Sequence, residues 1–241
     1  MTDISPAERY RVAQSRTKNP LLSKFRDIQP FDLDPFQISA CESVEAGRGV
    51  LVAAPTGAGK TIVAEFAIHL AMGQPDVKVF YTTPMKALSN QKFSELVETY
   101  GAERVGLLTG DTSINPRAQV VIMTTEVLRN MLYAGSELLE NLSYVVMDEV
   151  HYLADRFRGA VWEEVIIHLP STVQVISLSA TVSNAEEFGD WLHTVRGHTD
   201  VIVSEERPVP LYQHMIFSHK FLPLFAAKGE LATVNPEVMQ T

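Results

Sequence analysis

Cysteine is almost absent from this chain. Cys41 is the only one in 241 residues, which excludes an internal disulfide and a cysteine-built metal cluster and suits a reducing cytosol. Long apolar runs are missing too. No stretch approaches the ~18 consecutive apolar residues of a membrane helix, and the first residues lack the apolar segment of a signal peptide. Asp3 and Glu8 argue against a transit peptide, which is poor in acids. The expectation is a soluble, cytoplasmic protein that is neither exported nor membrane-bound. Positive charge is scarce, with 20 Lys and Arg against 29 Asp and Glu and a formal net charge of -9, so bulk electrostatics is not how this chain would hold a polyanion. The exception is the stretch Arg9, Arg11, Arg16, Lys18, Lys24 and Arg26, uninterrupted by any acid; it reads as a solvated arm.

What is present is enough apolar content, 46% of residues, to bury one large domain. Short runs rich in β-branched residues recur at 50–53, 77–81, 105–108, 120–123, 144–147, 175–178 and 201–203. They are apolar on successive positions, as strands buried on both faces must be. Helix-like stretches lie between them at 60–72, 86–100, 125–133, 159–168 and 185–192. Alternation of this kind builds βαβ units, so the expected fold class is α/β, with a mostly parallel sheet and helices on both faces. Residues 1–30 read as a basic lead-in and 31–206 as the domain. Residues 207–241 read as an exit linker, because Arg207-Pro208-Val209-Pro210 breaks regular structure.

Two segments carry chemistry. Ala54-Pro55-Thr56-Gly57-Ala58-Gly59-Lys60-Thr61 follows an apolar strand and opens a helix, the context in which a glycine-rich loop cradles phosphates. Gly57 and Gly59 let backbone N–H groups converge on an anion, and the helix N-terminus adds partial positive charge. Lys60 would reach the β- and γ-phosphates and Thr61 would offer its hydroxyl to Mg²⁺. Ala54 stands where the general pattern has its first glycine. The second segment, Asp148-Glu149-Val150-His151, ends the apolar run 144–147. Asp148 would hold Mg²⁺ through water and Glu149 would orient the attacking water, with ATP as the nucleotide. Gln37 precedes the loop, and an amide that donates and accepts suits the edge of adenine; Phe31 is a stacking candidate. Trp162, Phe188 and Trp191, at helical spacing in apolar company, read as packing.

Together these segments resemble the first RecA-like domain of a superfamily-two DExH-box helicase. The phosphate loop matches the family's first motif, Thr83 to Gln91 the motif that follows, Asp148 to His151 the acidic motif, and Ser179-Ala180-Thr181 the third, all in the family's order. Arg158 to Glu164, Ser179 to Asn184 and Arg207 to Pro210 resemble the Ski-like branch, which includes exosome-assisting RNA helicases and bacterial members of HelY type. The resemblance implies that Pro84, Ala87, Leu88 and Gln91, with Gly110, Asp111, Thr125 and Glu126, grip the backbone of single-stranded RNA or DNA. It also implies that His151, Ser179 and Thr181 couple hydrolysis to strand movement. Contacts to phosphates carry no base sequence, and they let an acidic domain bind a polyanion.

Such a helicase resembles a pair of RecA-like domains with ATP between them, the second supplying arginines to the γ-phosphate. No Gln-x-x-Gly-Arg-x-Gly-Arg text occurs here. The reading is therefore the ATP-binding domain of an ATP-dependent helicase that moves from a 3′ end, with weak activity on its own. The alternative is a non-catalytic module that binds ATP and nucleic acid and acts through a partner.

Overall fold

The computed structural model describes residues 18–154, 159–180, 185–217, 220–225 and 233–239. The chain divides into two compact units, Met1–Glu206 and Arg207–Thr241.

In the first unit the β-branched runs become β1 (Gly49–Ala53), β2 (Lys78–Thr83), β3 (Val105–Leu108), β4 (Ser113–Ile114), β5 (Val120–Thr124), β6 (Leu142–Met147), β7 (Gln174–Ser179) and β8 (Thr199–Val203). They form one sheet in the order β4-β3-β5-β2-β6-β7-β1-β8. Every neighbouring pair is parallel except β3 with β4 at the edge. The helices are α1 (Pro20–Asp27), α2 (Pro35–Glu45), α3 (Thr61–Met72), α4 (Lys86–Tyr100), α5 (Thr125–Ala134), α6 (Gly159–His168) and α7 (Ala185–Arg196).

Continuous apolar runs are needed because strand side chains alternate between two cores. Val50, Val52, Val146 and Ile176 face one core, closed by Phe25 of α1, Cys41 of α2, Phe66 of α3 and Leu96 of α4. Leu51, Val145, Met147 and Val175 face the other, closed by Leu128 of α5, Trp162 of α6 and Leu192 of α7. This is the expected RecA-like layering. Trp162 is fully buried, and Phe188 and Trp191 stack on each other at 5.8 Å against the same core.

Some elements were not foreseen. α1 lies in the stretch expected to be an arm, yet Leu22 and Phe25 are buried and the Phe25 ring meets Phe66 at 5.2 Å. The Glu45 carboxylate accepts from the N–H groups of Leu21 and Leu22, both at 2.9 Å, satisfying donors that a helix start leaves orphaned. Only two apolar side chains turn inward, too few to show as periodicity among the exposed basic residues. α2 is announced by Pro35 at its first position and a capping box between Asp34 and Gln37. β4 has only two residues, both exposed. In the second unit, β9 (His214–Phe217) and β10 (Lys220–Pro223) form an antiparallel hairpin, followed by α8 (Pro236–Met239).

Register positions the site. Ala53 pairs with Ser179 and Val203, Thr82 with Met147, and Thr83 with Thr124. The strands end level, so the segments after β1, β2, β5, β6 and β7 all leave the sheet at one carboxyl edge, where open α/β sheets bind their ligands.

Candidate functional site

One half of this edge, above β6, β7 and β1, carries the phosphate loop and the acidic motif. Gly57 and Gly59 take φ of +85° and +78°, conformations that side chains with a Cβ rarely adopt. At Gly59 a Cβ would also lie 2.6 Å from Gln37 Nε2. Thr56, Gly57 and Gly59 are exposed while Ala54, Pro55 and Ala58 are buried, so the loop is anchored from below with its backbone open above. The Lys60 ammonium donates to the carbonyls of Ala54 at 2.8 Å and Pro55 at 3.1 Å. Burial lowers its pKa, and the negative charges of Glu149 and Asp148 act in the opposite sense. Thr61, partly buried, begins α3.

Asp148 leaves β6 with its carboxylate held at both oxygens. Oδ1 accepts from the Glu149 N–H at 2.9 Å and Oδ2 from the Tyr81 hydroxyl at 2.7 Å. Glu149 itself has φ of +55°, a left-handed conformation shared among the described non-glycine residues only with Asn115 and Asn141. Asparagine visits that region readily, whereas for glutamate it costs on the order of 1–3 kcal/mol, a strain that marks functional turns. His151 Nδ1 lies 3.2 Å from Glu149 Oε2 but without the alignment of a hydrogen bond. Ser179 is buried, its hydroxyl has no partner among the described residues, and its carbonyl accepts from the Ala54 N–H. Thr181 and Arg158 lie outside the described residues.

The donor set suits a hard, hydrated cation. Asp148 offers a carboxylate and Thr61 a hydroxyl, and among the described residues no three His, Cys, Asp or Glu side chains gather into a cage. Mg²⁺ is commonly held in this way, by one or two carboxylates together with waters and substrate phosphates.

Gln37 lies beneath the phosphate loop. It is 4% exposed; Oε1 accepts from the Asp34 N–H at 2.9 Å, and Nε2 donates to the carbonyls of Ala58 at 3.3 Å and Gly59 at 3.0 Å. The capping box turns the amide inward, where it ties the phosphate loop to α2. Phe31 is 52% exposed.

The other half of the edge, above β2, β5 and β3, carries the segments expected to grip a strand. Pro84 is buried, Ala87 and Gln91 are exposed, and Leu88 is half-buried at the start of α4. Gly110 and Asp111 are exposed after β3. Asp111 pairs with Lys86 at 2.8 Å and accepts from Thr109 at 2.9 Å, and these two contacts hold its carboxyl below the usual range. Thr125 is buried with its hydroxyl turned to the Thr83 carbonyl at 3.4 Å, which leaves the helix N-terminus at Thr125 and the half-buried Glu126 as the groups available there. Gln91 donates to Glu95 at 2.9 Å.

Tyr81 was missed by sequence reasoning. It reads as one more apolar position in a strand, and only the register of β2 beside β6 brings its hydroxyl to Asp148, 67 residues away. Burial, then the neighbouring Asp148, raises its pKa well above the ordinary value, so the hydroxyl stays a donor. A hydrogen bond to a charged partner of this kind contributes about 1.5–3 kcal/mol.

A parallel sheet with a glycine-rich loop, its lysine and an acidic pair level at the carboxyl edge defines a P-loop nucleotide-binding domain. The chain belongs to the DEAD/DEAH box helicase family, whose profile matches residues 34–188. It is 61% identical over 217 residues to the probable helicase HelY of Mycobacterium tuberculosis, across 90% of this chain and 24% of that protein. It is 48% identical over 199 residues to human exosome RNA helicase MTR4, across 82% of this chain and 19% of the relative. Among solved structures, Mycobacterium smegmatis helicase Lhr bound to ssDNA and AMP-PNP matches with a TM-score of 0.63 at 30% identity, over 78% of this chain and 28% of that one. The chain is thus a helicase domain homologous to the HelY and Ski2/Mtr4-like DExH helicases. It spans about a quarter of the length of the HelY relatives it matches.

Proposed function

We propose that the chain is the ATP-binding domain of a helicase that hydrolyses ATP to move 3′ to 5′ along single-stranded nucleic acid. ATP would lie between this carboxyl edge and a second RecA-like domain of the same protein. The observation that supports this reading most strongly is the level edge, which brings Lys60, Thr61, Asp148 and Glu149 together on one half and the segments 84–91, 110–111 and 125–126 on the other.

In this reading the loop N–H groups from Thr56 to Thr61 and the Lys60 ammonium bind the phosphates, with Ala54 and Pro55 as the loop's buried base. Thr61 and Asp148 hold Mg²⁺, which neutralises developing charge when bound. Glu149, presented by its left-handed backbone, orients the attacking water and takes its proton. Pro84, Ala87, Leu88, Gln91, Gly110, Asp111, Thr125 and Glu126 face the strand, through backbone N–H groups and helix N-termini where side chains are turned inward. His151, Ser179 and Thr181 couple the two halves. The unpartnered Ser179 hydroxyl beside the phosphate loop supports this, since a buried donor gains by taking up a partner when its surroundings change. Gln37 fixes the loop, and its amide is the group proposed to meet the edge of adenine.

The alternative of a non-catalytic module is not favoured, because the homologues are named helicases and one, from Arabidopsis thaliana, is named an ATP-dependent RNA helicase. The test compares the 241-residue chain with a chain extended through the following domain. An arginine supplied across a nucleotide is worth ~10³–10⁵ in rate in related NTPases, so the short chain should bind Mg·ATP weakly with little turnover and the extended one should show strand-stimulated hydrolysis. Helicase-like rates from the short chain alone would contradict the reading.

A further inference from the structure

We propose that Tyr81 is a positioning residue for the metal-holding carboxylate, so that β2, the strand ending in the first nucleic-acid segment, also sets the geometry of the cation site. The inference rests on the reading of Asp148 given above. Tyr81 is 1% exposed, and its hydroxyl donates to Asp148 Oδ2 at 2.7 Å. A phenol buried this deeply needs a partner, and the carboxylate provides one. With Oδ1 taken by the Glu149 N–H, both oxygens are fixed, and each keeps lone-pair capacity for a cation or its waters. A carboxylate pinned twice cannot rotate to follow the ion; the ion must come to it, which is how a supporting shell tunes a metal ligand.

The Lys92 ammonium lies 5.7 Å from the ring centroid and pairs with Glu95 at 2.6 Å. Glu95 in turn accepts from Gln91. Tyr81 therefore sits at the seam of β2 and β6, between the acidic motif and a helix that carries a predicted strand contact. Its role is to hold Asp148; it touches no reacting atom.

The experiment measures binding of a fluorescent ATP analogue to the 241-residue chain, with Mg²⁺ titrated in and in excess chelator, for wild type, Tyr81→Phe, Asp148→Asn and the double variant. The ring of Tyr81→Phe preserves the core, and thermal melting verifies it. Expected is a three- to tenfold rise in the Mg²⁺ needed for half-maximal enhancement, with the Mg²⁺-free affinity unchanged within twofold. Adding Tyr81→Phe to Asp148→Asn should have no further effect, an outcome that a general packing role would not give. Binding of Mn²⁺ followed by electron paramagnetic resonance should weaken in parallel. A Tyr81→Phe chain with wild-type Mg²⁺ dependence overturns this inference alone. A wild-type chain whose nucleotide affinity ignores Mg²⁺ overturns the proposed function and this inference with it.

Discussion

The two halves of the carboxyl edge are built to different standards. Above β6, β7 and β1, three functional groups are tied down: Lys60 to two carbonyls, Gln37 to three backbone groups, Asp148 at both oxygens. Above β3, β5 and β2, Ala87, Gln91, Gly110 and Asp111 are exposed, and two of the bonds there are solvent-facing: Gln91 to Glu95, and the Lys86–Asp111 pair with side chains 51% and 67% exposed. The difference fits the tasks proposed for the two halves. Phosphoryl transfer depends on preorganised positioning and charge, where small displacements are costly in rate. Following a moving strand needs contacts to phosphate that form and release without regard to sequence.

If that contrast is right, substitutions in the first half should have large and specific effects and those in the second small and graded ones. The largest should come from Glu149→Gln in the extended chain: hydrolysis should fall ~10²–10⁴-fold, the range for loss of a general base, with nucleotide affinity retained in a binding titration. Lys60→Ala removes charged hydrogen bonds worth ~2–3 kcal/mol and should weaken ATP binding roughly 30- to 100-fold, with oligonucleotide binding unaffected by fluorescence anisotropy. Gln37→Ala leaves backbone groups of Asp34, Ala58 and Gly59 without their partner and should lower unfolding stability by about 1–3 kcal/mol in urea, with a loss of nucleotide affinity alongside. The smallest should be Lys86→Ala. Removal of one positive charge beside the proposed strand-contact residues should weaken strand binding only a few-fold, leaving Mg·ATP binding alone. A Lys86→Ala effect as large as that of Lys60→Ala would break the comparison.

Legibility in the sequence followed the same line. Ala54 to Thr61 and Asp148-Glu149 are contiguous patterns whose chemistry is read within a few residues, and seven strands of the large sheet and most helices announced themselves by apolar runs and spacing. Gln37 stands out in the sequence as an amide ahead of the loop, but its ties to Ala58 and Gly59 do not, because they depend on α2, which apolar spacing does not reveal. Tyr81 was passed over, since nothing local distinguishes it from Phe80 and its partner is set by which strand lies beside β2. Lys86 and Asp111 meet only because β2 and β3, on either side of β5, end at the same edge. Strand order in a parallel sheet is decided by crossover packing over many residues, and the contacts that depend on it are invisible to short-range pattern. The strand-contact residues were reached by family resemblance, because small and exposed side chains such as Ala87 and Gly110 carry no chemical signature of their own.

Hydrogen exchange on the 241-residue chain, followed peptide by peptide with Mg·ATP and with a single-stranded oligonucleotide added separately, tests the division of the edge directly. The expected result is protection by nucleotide confined to residues 54–61 and 148–151, and protection by the strand confined to 84–91, 109–111 and 124–126. Nucleotide protection centred on the second set, or strand protection centred on the first, would contradict it.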